Sequence, residues 1–210
     1  MRLIRWNQKG FTIAELMIST AVFGVILLVV STAIIQFTRV YYKGVTEANT
    51  QDIARSIMDR IGQGIEFNGG TVTNTVASPT PGNSYAFCVG GQQYSYTTGY
   101  QLSDTPAASQ TYHALVVNGV AGCTSSTPAQ NVRGSSVSGT ELIPPNMRLS
   151  KMQVTSIGTN LYKISIRVVF GDDAVLNNPN AATAACKSIL NGSQFCAVSD
   201  LSTVVTKRVQ

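Results

Sequence analysis

Four cysteines, one histidine, two adjacent aspartates and one glutamate inside apolar sequence are the side chains of this chain with chemistry to offer. Cys88, Cys123, Cys186 and Cys196 show none of the C-x-x-C spacing that a zinc knuckle or a thioredoxin-like site needs. All four follow a long apolar run. An even count beyond such a run suits disulfides in an oxidising compartment, with free buried thiols as the other reading. His113 stands alone in a strand-like stretch, where a packed or surface role is the ordinary expectation. No serine or aspartate spacing singles itself out to join it in a nucleophile–base–acid set. Asp172 and Asp173, with Asn177 and Asn178, make an oxygen-rich loop that is the chain's one calcium candidate. It lacks the spacing of an EF-hand, and a solvated turn accounts for the same residues. Asn191-Gly192-Ser193 has the form of a glycosylation sequon, a pattern short enough to recur by chance. No catalytic residue, cofactor or enzyme activity is expected.

Glu15 is the anomaly. It is the only charged residue between Phe11 and Phe37. A run of that length spans about 40 Å as a helix, against a hydrocarbon core of about 30 Å. A carboxylate inside it costs several kcal/mol in lipid and is usually functional, although one near a helix end can also snorkel to water. Arg2, Arg5 and Lys9 precede the run and would hold that end on the cytoplasmic side. They also account for most of the net charge of +5, since the rest of the chain has 12 basic and 10 acidic residues. The balance therefore gives no case for nucleic-acid binding.

The helix is expected to continue past the membrane surface. Ile53, Ile57, Ile61 and Ile65 recur every four residues, with Asp52, Arg55, Asp59 and Arg60 between them. That is the stripe of an amphipathic helix packed on a partner surface. Gly69-Gly70 should end it, giving one helix from about Phe11 to about Phe67. Beyond lie a loop to about Ser84 and short strands at 85–89, 93–96 and 112–117. A hairpin follows, with Met152 and Val154 on one arm, a turn at Gly158-Thr159-Asn160, and Tyr162, Ile164, Ile166, Val168 and Phe170 sharing one face of the other. A last strand is expected near 201–209. The fold class is α+β, with an antiparallel sheet laid on the amphipathic half of the helix so that both apolar faces are buried.

The stretch Lys9-Gly10-Phe11-Thr12-Ile13-Ala14-Glu15-Leu16 resembles the type IV prepilin processing signature: a short basic leader ending in Gly, then Phe, then an apolar helix with Glu at its fifth position. The resemblance is close over 1–37 and extends in form to about Phe67. Two other readings of this end stand beside it. A secretory signal peptide could be cut near Ser31-Thr32-Ala33, but apolar sequence continues through Ile34 and Ile35. A plain single-span anchor explains the length and not the Gly-Phe junction with its glutamate.

The resemblance implies a cleaved leader at 1–10, a transmembrane and filament-core helix at 11–37, an amphipathic continuation at 38–67 and a β-rich extracytoplasmic head at 68–210. A prepilin peptidase would cut between Gly10 and Phe11 and methylate the new Phe11 amine. Glu15 would then pair with the Phe11 amine of a neighbouring subunit. Implied partners are other pilin subunits, that peptidase, an inner-membrane assembly platform, and lipid before assembly. The implied location is the cytoplasmic membrane, single-pass with the head outside, and then an extracellular or periplasmic filament.

Many major pilins carry a proline in the second half of the apolar segment, where this chain has Val30-Ser31-Thr32-Ala33. That difference, and the strand-rich head, make it similar to minor pilins of the W type and to J-type pseudopilins. Pilins often staple a C-terminal loop, as a Cys186–Cys196 bridge would here, leaving Cys88 and Cys123 as the second pair. The functional expectation is a structural, minor subunit of a type IV pilus-like filament. The alternatives are a pseudopilin of a type II secretion system, or an anchored adhesin or DNA-uptake protein.

Overall fold

The computed structural model describes residues 10–102, 113–134, 137–187 and 192–208. Arg2, Arg5, Lys9, Tyr112, Asn191 and Val209 lie outside them. The chain divides into two compact units, Met1–Tyr41 and Tyr42–Gln210.

One helix, α1 (Ile13–Phe67), begins in the first unit and ends in the second. No proline interrupts it. In the first unit its apolar side chains point outward all round: Leu16, Met17, Ile18, Phe23, Leu28 and Ile34 are all exposed. Thr20, Thr32 and Thr38 donate their hydroxyls to the carbonyls of Met17, Val29 and Ile34 at 2.8–3.0 Å. These polar groups are thus satisfied within the helix, as a bilayer requires.

In the second unit α1 is amphipathic. Ala54, Ile57, Ile61 and Ile65 are buried on one face. After Phe67 the chain leaves through Gly69-Gly70. A side chain at Gly70 would place its Cβ 2.7 Å from Gly90 Cα, so only glycine lets the two backbones pass here.

Among the described residues nine strands follow: β1 (Tyr85–Val89), β2 (Gln92–Tyr96), β3 (Leu115–Gly119), β4 (Thr140–Glu141), β5 (Met147–Gly158), β6 (Leu161–Phe170), β7 (Leu176–Asn177), β8 (Ala185–Cys186) and β9 (Ala197–Thr206). The single expected sheet is in fact three antiparallel sheets, ordered β1-β2-β3-β4, β5-β6-β9 and β7-β8. The segment after the helix, expected as a loop, straps the first two together. Thr73 N–H donates to Cys88 O and Thr75 N–H to Val154 O, both at 3.0 Å.

The hairpin of β5 and β6 turns at Thr159-Asn160, and Asn160 has φ 60°. β5 starts earlier than alternation suggests because its phase changes. Met147 and Leu149 face the core, then Met152 and Val154 do, with a register shift between Leu149 and Lys151. The extra residue is Ser150, whose hydroxyl donates to Ala181 O at 2.6 Å. β9 begins four residues before the expected position.

The main core is one cluster drawn from α1 and both large sheets. Ile57, Ile61 and Ile65 share it with Phe87, Tyr94, Tyr96, Leu115, Met152, Ile164 and Val168. Phe87 stacks on Tyr94 with ring centroids 5.0 Å apart. A smaller cluster of Val169, Leu176, Ala184 and Cys196 sits on the other side of β6.

Ile61 is fully buried at the centre of the helix face. Ile61→Ala should cost about 3–4 kcal/mol, while Val45→Ala at an exposed position should cost less than about 0.5 kcal/mol. Denaturant titration of the full chain in uncharged detergent, read by near-UV circular dichroism, checks both.

Candidate processing and assembly site

The Gly10-Phe11 junction precedes the helix in non-helical backbone, and Phe11 is 84% exposed. Both residues stand clear of the fold around the peptide bond a peptidase would need to reach. Leu16 N–H donates to Thr12 O at 3.2 Å, so Thr12 is the N-cap of α1.

Glu15 and Thr12 form a reciprocal pair at that end. The Thr12 hydroxyl accepts from Glu15 N–H at 3.3 Å. The Glu15 carboxylate accepts from Thr12 N–H at 2.9 Å and from the Thr12 hydroxyl at 2.8 Å, through the same oxygen Oε2. This is a capping box, which satisfies two orphan donors of the helix start and sets a negative charge against the positive end of the helix dipole. Thr12 was the residue that sequence reasoning missed. The signal was present, since Thr12-Ile13-Ala14-Glu15 has the T-x-x-E form ahead of an apolar run. Among the described residues no hydrogen bond reaches its other oxygen, Oε1.

In the head, disulfides join Cys88 to Cys123 and Cys186 to Cys196, with Cα–Cα distances of 5.7 and 5.8 Å. The first ties β1 to the turn after β3. The second closes the loop that leads into β9.

Asp173 is exposed, and its carboxylate lies 2.7 Å from a guanidinium nitrogen of buried Arg148. The same guanidinium donates to Gly171 O at 3.0 Å, and more weakly to Gly99 O and Gln101 Oε1. One carboxylate and one carbonyl of this stretch thus serve an internal cation. Asp172 caps the short 3-10 turn Asp173–Val175 without a side-chain hydrogen bond. Among the described residues no cluster of three or more His, Cys, Asp or Glu could hold a metal ion.

His113 is not isolated. Its Nδ1 lies 3.2 Å from Glu141 Oε2. The other oxygen of Glu141 accepts the backbone N–H groups of Leu115 and Ile143 at 2.9 and 3.2 Å. Burial pushes the Glu141 carboxyl above its ordinary value, and the two amides and His113 only partly offset this. Nothing local in the sequence links two residues 28 positions apart.

Residues 7–31 match the family model of the prokaryotic N-terminal methylation motif. No curated protein and no solved structure matches the chain.

Two expectations follow for the head. Replacing both Cys186 and Cys196 by Ser should lower stability by about 2–3 kcal/mol, the loop-closure value for a ring this short, as denaturant titration would show. Glu141→Gln keeps an acceptor for both amides and removes a charge that folding has to desolvate. A raised folded-state value means the native state binds the extra proton, so the stability this group adds is full below about pH 4.5 and is lost as pH rises through the raised value. The melting temperature of Glu141→Gln should therefore gain on wild type as pH rises from about 4.5 to about 7.5, and Glu141→Ala, which strands both amides, should be less stable at either pH.

A basic-leader junction at Gly10-Phe11, a capped apolar helix with Glu15 in its first turn and the motif match at 7–31 together give this chain the N-terminal signature of the type IV prepilin-like proteins.

Proposed function

We propose that the chain is a minor structural subunit of a type IV pilus-like filament, cut between Gly10 and Phe11 by a prepilin peptidase, methylated on Phe11 and assembled through its N-terminal helix. The observation that carries the reading is the Glu15 carboxylate. It is fixed at the start of an outward-facing apolar helix, four residues from the proposed new amine, with one oxygen unbonded among the described residues. The unbroken apolar segment supports membrane residence first: α1 is the one helix among the described residues long and apolar enough to cross a bilayer. Side-by-side packing of such helices would then bury them in a filament core.

Two opposite charges desolvated together lose less than either alone, and a wrong axial register leaves both unpaired. In this reading Glu15 measures register between neighbours while Thr12 holds its rotamer. The proline-free helix and strand-rich head support a W-type minor pilin, and they suit a J-type pseudopilin of a type II secretion system equally well.

The capping box makes a sharper test than simple deletion. Glutamine fills the same capping position as glutamate, so Glu15→Gln keeps the helix cap and removes only the charge. If Glu15 were a cap alone, Glu15→Gln would enter filaments at wild-type level. If it pairs with a neighbour's Phe11 amine, the variant should insert and be cleaved normally, yet fall at least about tenfold in the sheared-filament fraction, because a stranded buried charge costs about 3–5 kcal/mol. Immunoblots of membrane and sheared fractions, with the mature N-terminus read by mass spectrometry, decide it. Wild-type incorporation of Glu15→Gln, or a mature chain that does not begin at Phe11, would sink the proposal.

A further inference from the structure

β9 is an edge strand. It pairs with β6 on one side, and no strand among the described residues lies on the other. Its register with β6 runs from Leu161↔Thr206 to Phe170↔Ala197 without a shift. Just past its end, Lys207 N–H donates to Asn160 O at 2.8 Å, on the β6 side. Backbone direction alternates with period two. Residues 201, 203 and 205 therefore turn their amides and carbonyls toward β6, and Asp200, Ser202, Val204 and Thr206 turn theirs outward. Ser202 meets Ser165 directly across the strand pair at 3.0 Å, the close side-chain approach of a non-hydrogen-bonded pair. Among the described residues none of these four has a backbone hydrogen-bond partner on the open side.

Past the strand's end come Lys207 and Arg208, and Arg208 N–H donates to Glu66 O of α1 at 3.2 Å. Leu201 to Thr206 itself contains no lysine, no proline and no bulge. Instead the edge borders a groove of about 290 Å³. Three consecutive residues, Thr203, Val204 and Val205, line one wall. Because neighbouring side chains point to opposite faces, three in a row mean that the groove follows the strand's edge and not one of its faces. The other wall is α1, with Asp59, Gln63 and Glu66 on one helical face. No basic side chain lines the groove, and no described ion pair uses either carboxylate.

We infer that the α1–β9 groove receives an extended segment of another protein, which adds to β9 as a strand and presents basic side chains to Asp59 and Glu66. Backbone pairing to Ser202, Val204 and Thr206 supplies the register, and the acidic helix wall selects the sequence, as in other strand-addition sites. The two carboxylates are separated by seven helical residues, about 10.5 Å along the axis. Alternate residues of an extended chain are about 6.8 Å apart, and the length of a lysine side chain covers the difference. A second copy of this chain fits less well, because pairing β9 with β9 would bring two acidic walls to one interface without a cation between them.

The test uses the full chain in uncharged detergent and a fluorescent nine-residue peptide that alternates lysine with valine. Two controls are the same peptide with glutamate for lysine, and the lysine peptide with every second amide N-methylated. The lysine peptide should bind saturably and slow amide hydrogen exchange in β9. Each control should bind at least about tenfold more weakly, one losing the charge match and the other the backbone bonds. Asp59→Lys with Glu66→Lys should weaken the lysine peptide by about tenfold while leaving the near-UV spectrum unchanged. Val204→Pro, which removes one outward amide at an edge where proline is tolerated, should weaken every peptide. If that variant does not fold, the N-methylated peptide on wild-type protein carries the same comparison. Absence of saturable binding would overturn the proposal. So would binding indifferent to N-methylation, which is ionic attraction alone, or β9 protection that rises with protein concentration without peptide, which is an edge taken by a second copy.

Discussion

Ala54, Ile57, Ile61 and Ile65 form one apolar line down the second half of α1, and both large sheets close against it. The two sheets share no hydrogen-bonded strand pair with each other. They are joined by this helix face, by the strap from Thr71 to Thr75, which bonds to β1 on one side and β5 on the other, and by the segment after β2, where Gly99 N–H and Leu102 N–H donate to Leu149 O and Met147 O at 2.9 and 3.3 Å. A sheet with one uncovered apolar face is not stable in water. A small residue keeps the contact close: a Cβ added at Gly64 would lie 2.9 Å from a methyl of Val89. The rest of the head, including its disulfide loops, rests on elements that this contact positions.

The same helix answers to two surroundings, and that division is written in its sequence. Up to Phe37 apolar residues occupy every side, and Glu15 is the only charge. Farther on, charges fill three sides and isoleucine recurs every fourth residue. These periods were legible, as was the alternation of Ile164, Ile166 and Val168, because both depend on nearest-neighbour geometry along one element. The start of β5 was hidden because Ser150 adds a residue and shifts the apolar positions from odd to even. The split into separate sheets depends on which strands meet, and no local pattern encodes that. His113 with Glu141, and Arg148 with Asp173, are pairs made by long-range topology, so no local pattern shows either. Thr12 was different: its capping signal lay in plain sequence beside the glutamate that drew the attention.

Charge in the head is handled internally. Arg148 is buried among carbonyls, with one carboxylate from the loop above it. Of the two aspartates that resembled a cation site in sequence, Asp173 gives an oxygen to a cation, and that cation is a guanidinium of the same chain. Glu141 likewise spends its carboxylate on two backbone amides at the end of a two-residue strand. Such groups specify one arrangement of the loops and add little net stability, since their desolvation offsets most of the gain.

The two disulfides have a mechanical consequence. Their loops are disjoint, spanning sequence separations of 35 and 10 residues. An extended chain covers about 3.4 Å per residue, so together they withhold about 150 Å of contour length from any pull along the backbone. A load entering through α1 can peel β9 from β6 or loosen the strap, yet it cannot pay out the segments behind Cys88 or Cys186 while the bridges hold. Within the head, covalent closure thus caps how far the chain can extend. Its extensibility is set by covalent closure, even where its thermal stability is set by the helix face.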